Sequence, residues 1–335
     1  MNGSPMPEIA SAGACDGQRH RADGRSRWSD TSASVAGVTA VVVTHNSARH
    51  LAALGKALST GSLVPTRMLV VDNASVDDTV ARARLTGFEV IETGVNNGFG
   101  AGCNAGLRAA STELVLFCNP DARPSSEALK RLLAALTGSA TAAIAGASLG
   151  DEPHARRFSR MTANIVGFLP SGLQSRVTRF SQHVLVDRRE DELVVDYAEG
   201  AFILCRVAAL QSVGGFDERF FLYCEEEDLS RRLGERGWQT LLVPSAKVAH
   251  DGSTSSEGIN RASMAPFRIH SLYWYYRIHH SRAYAEFARV AIAACVILDR
   301  RYRALARRPQ VYDPWTATAL FRSTSSIRRH RERRQ

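Results

Sequence analysis

Between residues 38 and 136 the sequence alternates short apolar runs with segments of helical period, four times in succession. The first run, Val38-Thr39-Ala40-Val41-Val42-Val43, is β-branched and too short for a helix. It suits a strand buried on both faces. Residues 51–58 read as a helix and residues 67–72 as a second strand ending in a carboxylate. Residues 77–85 read as a helix with Asp77 and Asp78 at its electropositive start. Residues 88–91 form a third strand, followed by a Gly/Asn-rich turn and a helix over about 101–110. A fourth strand at 114–118 and a helix at 126–136 complete the series. Strand–helix alternation with short connections predicts an α/β fold, a mostly parallel, doubly wound sheet flanked by helices. Such sheets bind ligands beyond the carboxyl ends of their strands. Polar residues gather there: Thr44, His45 and Asn46, then Asp72 and Asn73, then Asn96 and Asn97, then Asn119 and Asp121. Turn chemistry accounts for any one group, whereas four groups at four consecutive strand ends point to a ligand.

Two features carry candidate chemistry. Asp121 stands just beyond a buried strand, where one carboxylate suits a divalent cation, Mg2+ or Mn2+, bridging to a diphosphate. His250 is a candidate second ligand, because imidazole suits Mn2+; a lone histidine is more often structural. The acidic run Glu225-Glu226-Glu227-Asp228 opens an amphipathic helix that Gly237 stops. Carboxylates favour a helix N-terminus, but four in a row repel one another, and repulsion raises a carboxylate toward a useful proton acceptor. Glu225 and Asp228, three apart, share a helix face while Glu226 points elsewhere. The cluster is thereby expected to divide between orienting an acceptor and removing its proton.

Several segments together resemble the family 2 glycosyltransferases. Val41-Val42-Val43-Thr44-His45-Asn46-Ser47 is similar to their opening strand and loop, and Val70-Val71-Asp72-Asn73-Ala74-Ser75-Val76-Asp77 to their second nucleotide-contacting segment. Asn96-Asn97-Gly98-Phe99-Gly100-Ala101-Gly102-Cys103-Asn104-Ala105-Gly106 resembles the next. Leu116-Phe117-Cys118-Asn119-Pro120-Asp121-Ala122 looks like the Asn-Pro-Asp form of their metal motif. Gly214-Gly215-Phe216-Asp217-Glu218-Arg219-Phe220-Phe221, followed by Glu225-Glu226 and Asp228-Leu229, resembles the acceptor-side segment, and His250 the late metal-coordinating histidine. The ordered set covers roughly residues 38–256 and looks most like the rhamnosyltransferase-like subgroup that builds bacterial cell-wall or surface polysaccharide. The resemblance implies a GT-A fold, an inverting mechanism, a nucleotide-diphosphate sugar donor and a lipid-linked or polysaccharide acceptor. Carried over by position, it implies that Thr44, Asn46, Asp72, Asn73, Asn97, Asn104 and Asn119 bind the donor, and that Asp121 and His250 hold the metal. Glu226 would take the acceptor's proton, supported by Glu225 and Asp228. Two positions depart from the pattern: His45 where many relatives have Tyr, and Glu226 where Asp is usual. One extra methylene moves the carboxylate by about 1.5 Å, so a catalytically impaired nucleotide-sugar-binding protein on the same fold is the alternative reading.

The 335-residue length allows a catalytic domain with appendages. Residues 1–36 lack apolar periodicity and are expected to form a disordered leader. Residues 37–256 would form the catalytic domain, with a nucleotide-sugar half at 37–140 and an acceptor half at 141–256. In the acceptor half, 151–192 is expected to hold loops, 240–244 a short strand, and 248–250 the approach to a loop. Residues 257–308 are expected to form a helical extension and 309–335 a flexible basic tail. The extension mixes Phe267, Tyr273, Trp274, Tyr275, Tyr276, Tyr284 and Phe287 with Arg268, Arg277, Arg282 and Arg289, and His270, His279 and His280 add to it. That mixture suits either a helical pair packed on the catalytic domain or an interfacial surface against an anionic membrane. The longest apolar run there, residues 290–298, is nine residues, well short of the roughly 20 a spanning helix needs. No secretory signal is evident, and the six Cys include no CxxC pair, so a reducing cytoplasmic setting, peripheral on the inner face of the plasma membrane, is expected. Net charge is +9, with six Arg and one Glu in 321–335. No nucleic-acid-recognition signature accompanies that charge, no Walker loop is present, and the glycines at 98, 100 and 102 miss the dinucleotide spacing. Sugar, nucleoside, acceptor and oligomeric state are not encoded legibly.

Overall fold

The computed structural model describes residues 35–150, 154–169, 183–185, 192–250 and 261–308, with 310, 312 and 316. Its strands are β1 (Val35–Thr44), β2 (Arg67–Asp72), β3 (Glu89–Glu92), β4 (Thr112–Cys118), β5 (Ala122–Pro124), β6 (Ala142–Leu149), β7 (His154–Arg156), β8 (His183–Leu185), β9 (Leu193–Val195), β10 (Phe202–Arg206) and β11 (Gln239–His250). Its helices are α1 (Ala48–Ser59), α2 (Thr79–Leu85), α3 (Phe99–Ala109), α4 (Ala128–Gly138), α5 (Met161–Phe168), α6 (Val207–Ser212), α7 (Glu225–Gly234), α8 (Arg261–His279) and α9 (Arg282–Leu305).

One sheet runs β3-β2-β1-β4-β10-β6-β11-β5, with β9 added on β11. The first four strands are parallel, as the alternation predicts. Strand β10 then enters antiparallel between β4 and β6, so the second half of the sheet is mixed. Its residues 202–205 are buried, and a run buried on both faces carries no mark of its direction. Successive β1 side chains point to opposite faces. Val42 packs on one side with Leu51, Leu54 and Leu132; Val41 and Val43 pack on the other with Leu107, Leu229 and Leu233.

Other expectations need correcting. Strand β1 begins at Val35, two residues inside the expected leader; the rest of that leader lies outside the described residues. Within 151–192 the described part contains α5 and the antiparallel β7–β8 ribbon, not loops alone. Residues 239–250 form one strand passing through Pro244, where its register against β6 shifts between Val243 and Lys247; a bulge is where a strand tolerates proline. The expected tail falls almost entirely outside the described residues.

Helices α8 and α9 form the expected extension around a third core, with Phe168, Phe220, Ile269, Leu272, Tyr275, Tyr276, Ile292 and Val296. Most of the aromatic pattern is therefore packing: Phe267, Tyr275 and Tyr276 are buried, and Tyr273, Trp274 and Tyr284 lie partly buried against this core. His270 is buried too, and burial lowers its pKa to about 4, so it brings no positive charge at neutral pH.

Candidate active site

The carboxyl ends of β1 and β2 are joined by side chains. Thr44 and Asp72 are register partners, and the Thr44 hydroxyl donates to Asp72 Oδ1 at 2.9 Å. Ser75 donates its backbone N–H to Asp72 Oδ2 at 2.9 Å and its hydroxyl to Oδ1 at 2.5 Å. The Ser75 hydroxyl in turn accepts from the Asn46 N–H at 2.8 Å, and Asn46 Oδ1 accepts from the Val76 N–H at 2.9 Å. Asn46 adopts φ 54° and Ala74 φ 57°, left-handed conformations that these bonds hold in place. Asn73 is buried, and its amide donates to the Gly98 carbonyl at 3.0 Å. The His45 ring donates to the Asn73 carbonyl at 2.8 Å. The expected donor residues Thr44, Asn46, Asp72 and Asn73 thus form one laced edge, with exposed Asn97 directly before Gly98. Ser75 was not among the expected residues; its place three after Asp72 is the spacing of a local side-chain-to-backbone turn, a signal legible in sequence.

The glycines of α3 serve packing. A Cβ on Gly102 would lie 2.5 Å from Val43 Cγ1, and one on Gly106 2.2 Å from Val41 Cγ1. Four residues apart on one helical face, they let α3 lie directly on β1. A Cβ on Gly98 would lie 2.2 Å from the Phe221 carbonyl oxygen, which also accepts the Phe99 N–H at 3.0 Å. Asn104, expected to bind donor, turns its side chain into the fold. Its amide donates to the Phe216 carbonyl at 2.9 Å and to Glu218 at 3.0 Å, and its Oδ1 accepts the Phe216 N–H at 2.9 Å. Buried and fully used, it clamps the segment leading to α7.

That segment turns into α7 through Tyr223 (φ 72°) and Cys224 (φ 67°), two adjacent non-glycine residues in left-handed conformation. Such a turn stores strain of order 1–3 kcal/mol per residue and fixes where the acidic side chains begin. Glu225 is buried, and among the described residues its Oε2 has no hydrogen-bond partner. Burial, and then the neighbouring Glu226, push its pKa well above the usual carboxylate range. Glu226 is half-buried, and a Cβ on Gly200 would approach its Cβ to 3.9 Å. Gly200 precedes Ala201, whose carbonyl accepts the Asn119 N–H at 2.9 Å at the end of β4. Glu226 therefore lies on the same sheet edge as the Asn119–Asp121 turn.

Glu227 and Asp228 face other ways. Glu227 accepts from the Ser159 hydroxyl at 2.9 Å, from the Ser159 N–H in a very short contact, and from Tyr275. Burial still pushes its pKa up to about 7. Asp228 is fully buried, bonded to Arg232 at 2.7 Å and to the His279 ring at 2.8 Å. Asp228, expected to support proton transfer, ties α7 to α8 through these bonds. Sequence spacing could not pair Ser159, Tyr275 or His279 with α7, because their partners lie 44 residues away or more.

Asp121 is 3% exposed, at the turn between β4 and β5. Ala122 pairs in register with His250, so the backbone sets the expected second ligand beside Asp121. Among the described residues no group of three or more His, Cys, Asp or Glu could hold a metal. One buried carboxylate with a histidine position opposite would nevertheless suit Mg2+ or Mn2+. Such an ion would neutralise charge on a departing diphosphate.

Residues 39–211 match the model of the family described as Glycosyl transferase family 2. The chain is 30% identical over 264 residues to N-acetylglucosaminyl-diphospho-decaprenol L-rhamnosyltransferase of Mycobacterium tuberculosis, covering 72% of this chain and 84% of that protein. It is 27% identical to rhamnosyltransferase WbbL of Escherichia coli K12, over 49% of this chain and 64% of that one. Among solved structures, a mannosyltransferase from Pyrobaculum calidifontis, in complex with GDP-Man and Mn2+, aligns with TM-score 0.54 at 17% identity, over 88% of this chain and 81% of that one.

Proposed function

This chain belongs to glycosyl transferase family 2, and from that premise we propose that it moves rhamnose from a nucleoside-diphosphate donor onto a polyprenyl-diphosphate-linked sugar, with inversion. One observation carries the reading: the Thr44–Asp72 edge, the Asp121–His250 pair of positions and Glu226 lie along the same end of one sheet. Thr44, Asn46, Asp72, Asn73 and Asn97 would hold the nucleoside, and Asn119 would lie against the diphosphate. Asp121 and His250 would hold Mn2+ or Mg2+. The acceptor hydroxyl oxygen forms its bond to the anomeric carbon as the bond from that carbon to the diphosphate oxygen breaks, and the hydroxyl proton passes to Glu226. Glu225, keeping its own proton, would limit negative charge beside that base. The reading puts the enzyme on the inner face of the plasma membrane; among the described residues no helix is long and apolar enough to cross a membrane.

The test is incubation with Mn2+, a panel of nucleoside-diphosphate sugars and N-acetylglucosaminyl-diphospho-polyprenol, following release of nucleoside diphosphate. Turnover with a rhamnose donor, slowed at least about a hundredfold by Asp121→Asn and by Glu226→Gln, is the expected result. Donor binding without turnover would replace the reading by that of a nucleotide-sugar-binding protein with a misplaced base.

A further inference from the structure

We propose that the outward face of α9 seats this protein on an anionic lipid leaflet. The helix has two apolar faces. One packs against α8 and α5 through Ala285, Ala288, Ile292 and Val296. The other presents Phe287, Val290, Ile297, Leu298 and Leu305, which are 63%, 59%, 44%, 56% and 87% exposed. At 3.6 residues per turn these five fall within an arc of roughly 100°, along about 27 Å of helix. Scattered exposed apolar residues need no explanation; a continuous stripe of them marks a contact surface.

Charge identifies the occupant. The acidic residues of α9 are Glu286 and Asp299. Glu286 is engaged by Tyr273 and Arg289, and Asp299 is buried and bonded to Arg303. The stripe therefore carries no acidic side chain, while Arg301 is exposed within its arc, and Arg282, Arg307 and Arg308 are exposed outside or beyond it. An apolar stripe that carries arginine and no carboxylate matches a helix lying in the interface of an anionic bilayer, where a long arginine side chain reaches the headgroups. A second copy is disfavoured, since a two-fold contact sets the same face against itself and would bury Arg301 of both copies with no carboxylate on the stripe to pair them. The contact also has a fixed relation to the site. Helix α8 bonds to α7 through His279–Asp228 at 2.8 Å and Arg231–Tyr275 at 3.2 Å, and Tyr273 bonds back to Glu286 of α9 at 3.0 Å. This deepens the proposed function and rests on it for one point, that a membrane-borne acceptor gives the leaflet a reason to be near.

The experiment is co-sedimentation of the full chain with phosphatidylcholine vesicles, with and without phosphatidylglycerol. Wild type is expected to bind the anionic vesicles and to lose binding as salt rises. Phe287→Ser/Leu298→Ser should bind at least about tenfold more weakly, and Arg301→Glu about fivefold or more. Both variants should keep the wild-type melting temperature and the wild-type rate on a water-soluble truncated acceptor. Absent binding by wild type overturns the proposal, as does equal binding by the double variant. A wild-type dimer that Phe287→Ser/Leu298→Ser dissolves in sedimentation equilibrium overturns it in favour of a second copy. Vesicle binding is read without any turnover, so an inactive enzyme that still binds would sink the transferase reading and leave this one standing.

Discussion

Asp72 and Glu225 are equally withdrawn from water, at 2% and 3% exposure, yet their surroundings are opposite. Asp72 accepts three hydrogen bonds from Thr44 and Ser75. Glu225 has an oxygen with no partner among the described residues and another carboxyl, Glu226, beside it. A satisfied buried carboxylate stiffens what surrounds it, which suits an edge that must present a fixed shape to a nucleoside. An unsatisfied one holds its proton and perturbs its neighbours, and such perturbation gathers where protons are moved. On the proposed reading, shape would belong to the β1–β2 edge and proton chemistry to the start of α7.

The variant that bears hardest on this division is Glu226→Gln. Transfer should slow by about 10²–10⁴-fold, the usual worth of a general base, with donor affinity by calorimetry unchanged. If Asp72→Asn slows the chemical step as much while leaving donor affinity intact, the division fails. Next in size is Asp228→Asn. Removing one member of a buried charged set costs about 3–5 kcal/mol, so urea denaturation should show a large loss of stability. The folded fraction at low temperature should keep its rate on a soluble acceptor. A rate that falls with stability intact would return Asp228 to the proton-transfer site.

These contrasts also explain what the sequence revealed. The parallel strands β1 to β4 were legible because Val, Leu and Ile mark them and a polar residue punctuates each end. Strand β6 was not: six of its eight residues are Gly, Ala or Ser in the stretch Ala142-Ala143-Ile144-Ala145-Gly146-Ala147-Ser148-Leu149, with weak strand preference. It is there because of close approach, a Cβ on Gly146 falling 2.3 Å from that of Ala198. At the site, local spacing exposed Thr44, Asp72, Asn119 and Asp121 as strand-end residues. It could not separate four consecutive acids, because their fates depend on what arrives from residues 159, 275 and 279.

Glu227 allows that separation to be measured by pH. Its carboxyl is raised from 4.5 to about 7 in the folded protein, chiefly by burial. The folded chain thus binds more protons than the unfolded chain between those values. Stability should fall as pH rises through that window, by about 3 kcal/mol from this group once above it, and Glu225 shifts in the same direction. Glu227→Gln keeps the shape that receives Ser159 and removes the titration, so urea midpoints compared at pH 5 and pH 8 should lie closer together than in wild type. An unchanged gap would show that Glu227 is not the strained member of the cluster.

The smallest effect tests the satisfied side. Thr44→Val preserves shape at a buried position and deletes only the hydroxyl that donates to Asp72 Oδ1. A hydrogen bond to a charged group is worth about 1.5–3 kcal/mol, and because two bonds from Ser75 remain, the loss should sit near the lower figure in urea denaturation. Donor affinity should weaken with it, since Asp72 would be less firmly aimed, while the rate at saturating donor stays near wild type. A variant that binds donor normally but turns over slowly would place chemistry at the β1–β2 edge after all. The contrast between a settled carboxylate and a strained one would then lose its functional meaning.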